Sequence, residues 1–127
     1  MKKYEIIRTD YIEYEDRKLY RIRALKNFWY VSKGELGGYI ESEYNLSQED
    51  NCWIADNARA FENAIIKNNA QICDDVIIQD NVIIRDNSFI SGSIHIKDYV
   101  IVKGDSQIDG DGIIEGESIL LDAIIRN

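Results

Sequence analysis

Val76-Ile77-Ile78-Gln79-Asp80-Asn81 is followed by Val82-Ile83-Ile84-Arg85-Asp86-Asn87 and then by Ser88-Phe89-Ile90-Ser91-Gly92-Ser93, three passes through one six-residue phrase. Each pass opens on a small or aliphatic residue and places an aliphatic residue two positions later. Most close on a pair suited to a sharp corner. An amphipathic helix would space its apolar residues by three and four, which in-out-in triplets such as Val82-Ile83-Ile84 do not do. Followed outward, the first inward position runs Cys52, Ala58, Ala64, Ala70, Val76, Val82, Ser88, Ile94, Val100, Ser106, Gly112, Ser118. The second runs Ile54, Ala60, Ile66, Ile72, Ile78, Ile84, Ile90, Ile96, Val102, Ile108, Ile114, Leu120. Corner pairs such as Asp56-Asn57, Asp80-Asn81 and Gly104-Asp105 supply the residue types that accept a left-handed backbone cheaply.

Twelve such units between Asp50 and Leu121 predict an all-β fold, a parallel β-helix of about four triangular coils with eighteen residues in each. At the usual strand spacing the prism is roughly 19 Å tall. Residues 1–49 lack the period. Tyr11–Tyr14 and Lys18–Leu25 alternate as strands around a Glu15-Asp16-Arg17 turn, Tyr4–Ile7 suggests a third strand, and Lys33–Ile40 reads as a glycine-rich connector. The expected organisation is an N-terminal β-hairpin cap over 1–49 and a hexapeptide-repeat solenoid over 50–127, the cap closing one open end of the strands.

The chain has 127 residues and a net charge of −8, carried entirely by the solenoid: residues 1–49 hold nine acidic and nine basic side chains, residues 50–127 fourteen and six. The acidic surface consists mainly of corner residues, among them Asp56, Asp74, Asp75, Asp80, Asp86 and Asp98. Aspartate suits these corners and keeps a particle soluble; a sharper reading is a surface that imitates phosphate and occupies a basic groove on another protein. No apolar run reaches membrane-span length, and Met1-Lys2-Lys3 leads into Tyr4-Glu5 rather than a signal segment, so a cytoplasmic protein without membrane contact is expected. Cys52 and Cys73 have no metal-ligand spacing and read as reduced thiols.

The stretch Leu36-Gly37-Gly38-Tyr39-Ile40-Glu41-Ser42-Glu43, with Asn45-Leu46-Ser47-Gln48, Asn51-Cys52-Trp53-Ile54 and Asp56-Asn57-Ala58-Arg59, resembles a family of bacterial and phage-associated hexapeptide-repeat proteins. In these a short β-module precedes repeats of the type Asn-Ala-Arg-Val-Tyr-Gly. The resemblance implies a left-handed parallel β-helix, an exception to the right-handed crossover rule. It also implies a phage or mobile-element origin, and little about activity. After Ala64 the chain departs from that repeat, Ala-Arg-Val giving way to triplets such as Val-Ile-Ile.

Catalytic, metal and cofactor sites are not expected. Hexapeptide acyltransferases use a histidine in a cleft and cover it with an inserted loop; here His95 is the sole histidine, faces outward in the column Arg59, Ile77, His95, Ile113, and the repeat frame has no insertion. One histidine cannot hold the metal of a β-helical carbonic anhydrase. The single Thr9 excludes a threonine-rich ice-binding face, and Gly34-Glu35-Leu36-Gly37-Gly38 lacks the ending of a phosphate loop. Arg17, Lys18, Arg21, Arg23 and Lys26 read as a solvated hairpin edge rather than a nucleic-acid site, since the neighbouring solenoid repels phosphate.

Stacking the coils leaves one outer column of Ile65, Ile83, Ile101 and Ile119, beside a basic row of Lys67, Arg85 and Lys103. An unbroken apolar stripe of this kind marks a protein interface. A homo-oligomer, dimer or trimer, is expected, side by side along the stripe or tip to tip at Ile124–Asn127, unless residues 1–49 fold back over the stripe. The function expected is a non-catalytic protein-binding scaffold, plausible as an inhibitor of a host nucleic-acid-binding defence machine. The alternatives are an acyltransferase-like enzyme and a virion component.

Overall fold

The computed structural model describes residues 1–126. Apart from one 3₁₀ turn at Glu43–Asn45 its regular elements are all strands, numbered in chain order. Three sheets form the walls of a β-solenoid. The first wall contains β3 (Leu36–Ile40), β5 (Arg59–Ala60), β8 (Ile77–Ile78), β11 (Ser93–Ile96) and β14 (Asp111–Ile114); it continues past β3 into the antiparallel hairpin of β1 (Tyr4–Tyr14) and β2 (Arg17–Ala24). The second contains β4 (Trp53–Ile54), β7 (Gln71–Ile72), β10 (Phe89–Ile90), β13 (Gln107–Asp109) and β16 (Ile124–Arg126). The third contains β6 (Ile65–Ile66), β9 (Ile83–Ile84), β12 (Tyr99–Lys103) and β15 (Glu117–Leu121).

Within the walls all pairing is parallel, and through the central coils partners stand eighteen residues apart: Arg59, Ile77, His95 and Ile113 in one column, Trp53, Gln71, Phe89 and Gln107 in another, Ile65, Ile83, Ile101 and Ile119 in the third. The inward residues fill the prism, and the second inward position is at most 1% exposed from Ile40 to Ile108. A buried aliphatic side chain contributes about 1.5–3 kcal/mol, so this column supplies the main drive to fold.

The solenoid has about five turns rather than four. The additional coil comes from both ends. Tyr39 and Ile40 pair with Arg59 and Ala60, and Leu46 bridges Ile66, so Leu36–Ile40 is a strand and the first coil begins inside the segment expected to be a connector. At the other end Gln107 pairs with Ile124 after a corner one residue shorter than the rest. Both glycines of β3 are required by close approach. A Cβ at Gly38 would lie 2.3 Å from the Ala58 carbonyl oxygen, and one at Gly37 2.6 Å from that of Ile54.

The first coil was illegible as a repeat because it carries two extra residues. Its irregular wall is completed by side chains in place of backbone. Asn45 donates through Nδ2 to the carbonyls of Glu62 (3.1 Å) and Ala64 (2.9 Å), while its Oδ1 accepts from the amides of Glu41 and Ser42. Lys3 is fully buried, and its Nζ donates to the carbonyls of Cys52 (2.7 Å), Glu49 (3.2 Å) and Asp50 (3.3 Å). Burial lowers the Lys3 pKa below the usual lysine value, against the pull of the nearby Cys52.

The hairpin turns at Glu15-Asp16, both at positive φ, and the expected third strand is the start of β1, which runs unbroken from Tyr4 with a register shift between Ile6 and Tyr11. Side chains of the hairpin and of the segment after it close two outer columns at their N-terminal ends. Tyr4 and Phe28 pack edge-on against Trp53 at 6.4 and 5.4 Å, which is why an outward tryptophan is only 2% exposed. Tyr14 packs on Phe61 at 5.5 Å and lies under the Arg59 guanidinium.

The register predicts opposite fates for adjacent isoleucines. Ile84→Asp buries an unpaired carboxylate, costs several kcal/mol and abolishes the cooperative thermal transition, while Ile83→Asp, one residue away on the outer face, melts within a few degrees of the parent. Equal damage from the two, followed by circular dichroism, contradicts the register.

Candidate protein-binding face

The third wall presents Ile65, Ile83, Ile101 and Ile119 on its outer surface, and these four side chains join neither of the two buried apolar clusters. The cap therefore does not fold over the stripe; its packing falls on Trp53, Arg59, Phe61 and Ile77. Exposure is greatest toward the last coil, where Ile119 is 63%, Tyr99 60% and Leu121 59% exposed. Tyr99, Ile101, Glu117, Ser118 and Ile119 line a shallow hollow of about 480 Å³. The expected basic row is present beside the stripe, and Lys103 pairs in register with Leu121, so the row ends in an apolar residue. Arg85 Nε stands 3.8 Å from its neighbour Asp86, ion-pair distance without a hydrogen bond.

The acidic residues have a structural task. A positive φ recurs every sixth residue from Asp50 to Asp122, with Asp56, Asp74, Asp80, Asp86 and Asp98 among them. Each of these five carboxylates accepts the corner amide of the next coil: Asp56 from Asp74 (3.0 Å), Asp74 from Gly92 (2.9 Å), Asp80 from Asp98 (2.9 Å), Asp86 from Gly104 (2.8 Å) and Asp98 from Gly116 (2.8 Å). Asp75 follows the corner and is exposed. Backbone conformation and the inter-coil hydrogen bond together account for aspartate at these positions.

His95 stands in the predicted outward column beside Ile77 and Ile113. Its Nε2 donates to the Gln79 side-chain oxygen, and the Gln79 amide group donates in turn to Glu62 (3.2 Å) and Asp80 (3.3 Å). Partial burial, aided by Lys97, lowers the His95 pKa, so the ring is neutral at pH 7. Partial burial and contact with Asp80 raise the Glu62 pKa; burial pushes Asp80 the same way, but the Asp98 amide and Gln79 hold it below the usual range. Of the two, Glu62 is therefore the first to take up a proton as pH falls. Sequence reasoning missed the network because Gln79 and His95 lie sixteen residues apart and meet only when coils stack. An amide stabilises an imidazolium far less than a carboxylate does, so this histidine is a poor general base.

The three arginines of the hairpin's cationic cluster are engaged. Arg17 bridges Glu41 (2.8 Å) and Glu62 (3.3 Å), Arg23 pairs with Glu5 (2.7 Å), and Arg21 donates to the Gly37 carbonyl (2.8 Å) and the Tyr39 hydroxyl. The Arg17 and Arg21 contacts stitch the hairpin to the solenoid, while Arg23–Glu5 joins the hairpin's own two strands. Among the described residues Asp56, Cys73 and Asp74 come close enough to surround an ion, but Asp56 and Asp74 already serve the corner ladder. Burial, with help from Asp74, Asp56 and Asp109, pushes the Cys73 thiol up to about 11, so it is protonated at neutral pH. No described helix is long and apolar enough to cross a membrane. A scan against protein-family models and a search of curated proteins gave no match to this chain.

Substitutions at two positions test these assignments. Asp98→Asn keeps both an acceptor and tolerance of the left-handed backbone and melts close to the parent; Asp98→Ala loses both and costs about 2 kcal/mol. If both variants melt alike, the carboxylate ladder is not structural. For His95 the sign follows from its lowered pKa: protonation favours the unfolded chain, so this contribution to stability is intact above the ordinary value of 6.5 and is lost as pH falls below it. Titration of the ring by NMR is expected to give a midpoint below 6.5, and His95→Ala to flatten that part of the pH–stability profile; a midpoint above 6.5 contradicts the assignment.

Proposed function

We propose that the protein is a non-catalytic protein-binding scaffold that associates with copies of itself through the isoleucine face. The observation that carries this reading is the selective coverage of the walls. Cap residues pack over the start of the Trp53 column and over Arg59 and Ile77, while Ile65, Ile83, Ile101 and Ile119 remain outside both apolar clusters. A contiguous apolar strip rimmed by charge is the surface composition of a protein interface. His95, held by an amide and with no inserted loop in the coils around it, weighs against an acyltransferase.

A narrower form of the proposal is an inhibitor that occupies a basic, nucleic-acid-binding surface of a host defence protein. It draws on the solenoid's excess of fourteen acidic over six basic side chains. The corner carboxylates, though fixed by the ladder, form regular negative rows toward solvent, which favours a basic partner.

Light scattering on the Ile83→Asp/Ile101→Asp double variant tests the self-association. The parent is expected to exceed the 14.7 kDa of one chain and the folded variant to fall to it, because each substitution forces a carboxylate into a desolvated patch. A variant that keeps the parent's assembled mass overturns the proposed face.

A further inference from the structure

The run Phe28-Trp29-Tyr30-Val31 forms a two-residue turn. The Phe28 amide donates to the Val31 carbonyl (3.0 Å) and the Val31 amide to that of Phe28 (2.8 Å). Phe28 and Val31 are buried, and Phe28 rests on Trp53 in the first coil, so the base of the turn is fixed. Its feet are tied as well: the Lys33 amide donates to Asn27 Oδ1 (2.7 Å) and the Ser32 amide to Glu35 Oε1 (3.2 Å). At the tip, Trp29 adopts a φ of +49, a left-handed conformation that glycine or asparagine enters at far less cost. Tryptophan there sacrifices stability. It is also poorly sheltered: Trp29 is 56% and Tyr30 83% exposed, their rings edge-on at 4.6 Å. Large, rigid aromatic side chains on a fixed base are the residue types that dominate binding energy at interfaces, and backbone strain at an exposed tip points to a role outside the fold.

The same chain carries a counterpart. The hollow of about 480 Å³ is walled by Tyr99, Ile101 and Ile119, with Glu117 at its rim. Lys26 and Lys33 flank the aromatic tip and, with Glu35 at its foot, leave residues 26–35 at a net charge of +1 on a protein of net charge −8. The tip belongs to the cap over the first coil and the hollow to the last two coils, so a neighbouring copy supplies the contact.

We propose that self-association is heterologous: the Trp29–Tyr30 tip of one copy seats in the hollow formed by Tyr99, Ile101, Glu117, Ser118 and Ile119 of the next, with Lys26 and Lys33 facing Glu117. This rests on the proposal that the isoleucine face mediates assembly, and specifies how. Because different surfaces meet, the contact repeats from copy to copy into a ring or an open row instead of closing as a two-fold pair.

Complementation between two damaged chains tests it. Trp29→Gly/Tyr30→Ser removes the tip and relieves the backbone; Ile101→Asp/Ile119→Asp spoils the hollow. Circular dichroism and melting establish that both fold. Each alone is expected to scatter light as a single chain, and an equimolar mixture to give a species of two chains, since it contains one intact tip and one intact hollow. Retention of the parent's assembled mass by the tip variant, with dissociation of the hollow variant, overturns the heterologous contact and leaves the isoleucine face standing as a symmetric interface. A mixture that stays single-chain likewise overturns the tip-to-hollow contact. A parent that is itself a single chain at every concentration, or a hollow variant that keeps the assembled mass, sinks both proposals.

Discussion

The left-handed corner is the constraint on which everything else depends. A chain that turns every sixth residue must find, at each turn, a residue that accepts positive φ, and the amides exposed there must find acceptors. Aspartate meets both demands at Asp56, Asp74, Asp80, Asp86 and Asp98, since each takes the backbone conformation and accepts the amide of the corner above it. Asn68 does the same for Asp86. With the corners fixed, short strands of two to five residues are enough to hold the walls in register. The acidity of the solenoid follows in large part from this geometry.

Regular corners also determine the outside. A fixed eighteen-residue stack turns any bias in the outward position into a column, so four isoleucines scattered through the sequence become a continuous strip. The cap then differentiates the walls. By extending the first wall with β2 and β1, plugging the irregular first coil with Lys3 and resting Tyr4 and Phe28 on Trp53, it uses its apolar side chains at one end of the prism and leaves the third wall open. The same cap carries the strained Trp29 tip, which joins the two unusual apolar features of the surface in one account of assembly.

The fold was legible because its information is periodic: inward position, outward position and corner can each be checked a dozen times. The parts that escaped are those in which the period is broken and repaired by a side chain. Ile40 and Leu46 are second-position core residues of the first coil, but the two-residue insertion before Ile54 puts them out of frame, and the Asn45 and Lys3 bonds that make the coil possible have no sequence signature. Gly37 and Gly38 suggested a loop, whereas they are strand residues whose backbones approach the Ile54 and Ala58 carbonyls too closely for a side chain. The isoleucine strip and the outward place of His95 were readable from the stack; its Gln79 partner, which comes from a different coil, was not.

Hydrogen exchange at the corner amides tests the central claim most directly. The amides of Asp74, Gly92, Asp98, Gly104 and Gly116 lie at partly or fully exposed turns, where free backbone would exchange quickly, yet each donates to a carboxylate of the preceding coil. The ladder predicts that all five are protected together, with rates close to those of the neighbouring strand amides and lost in one cooperative opening. Exchange of these five at free-peptide rates, while the amides of the adjacent strands stay protected, would show that the strands hold the stack without the corners and would contradict the account.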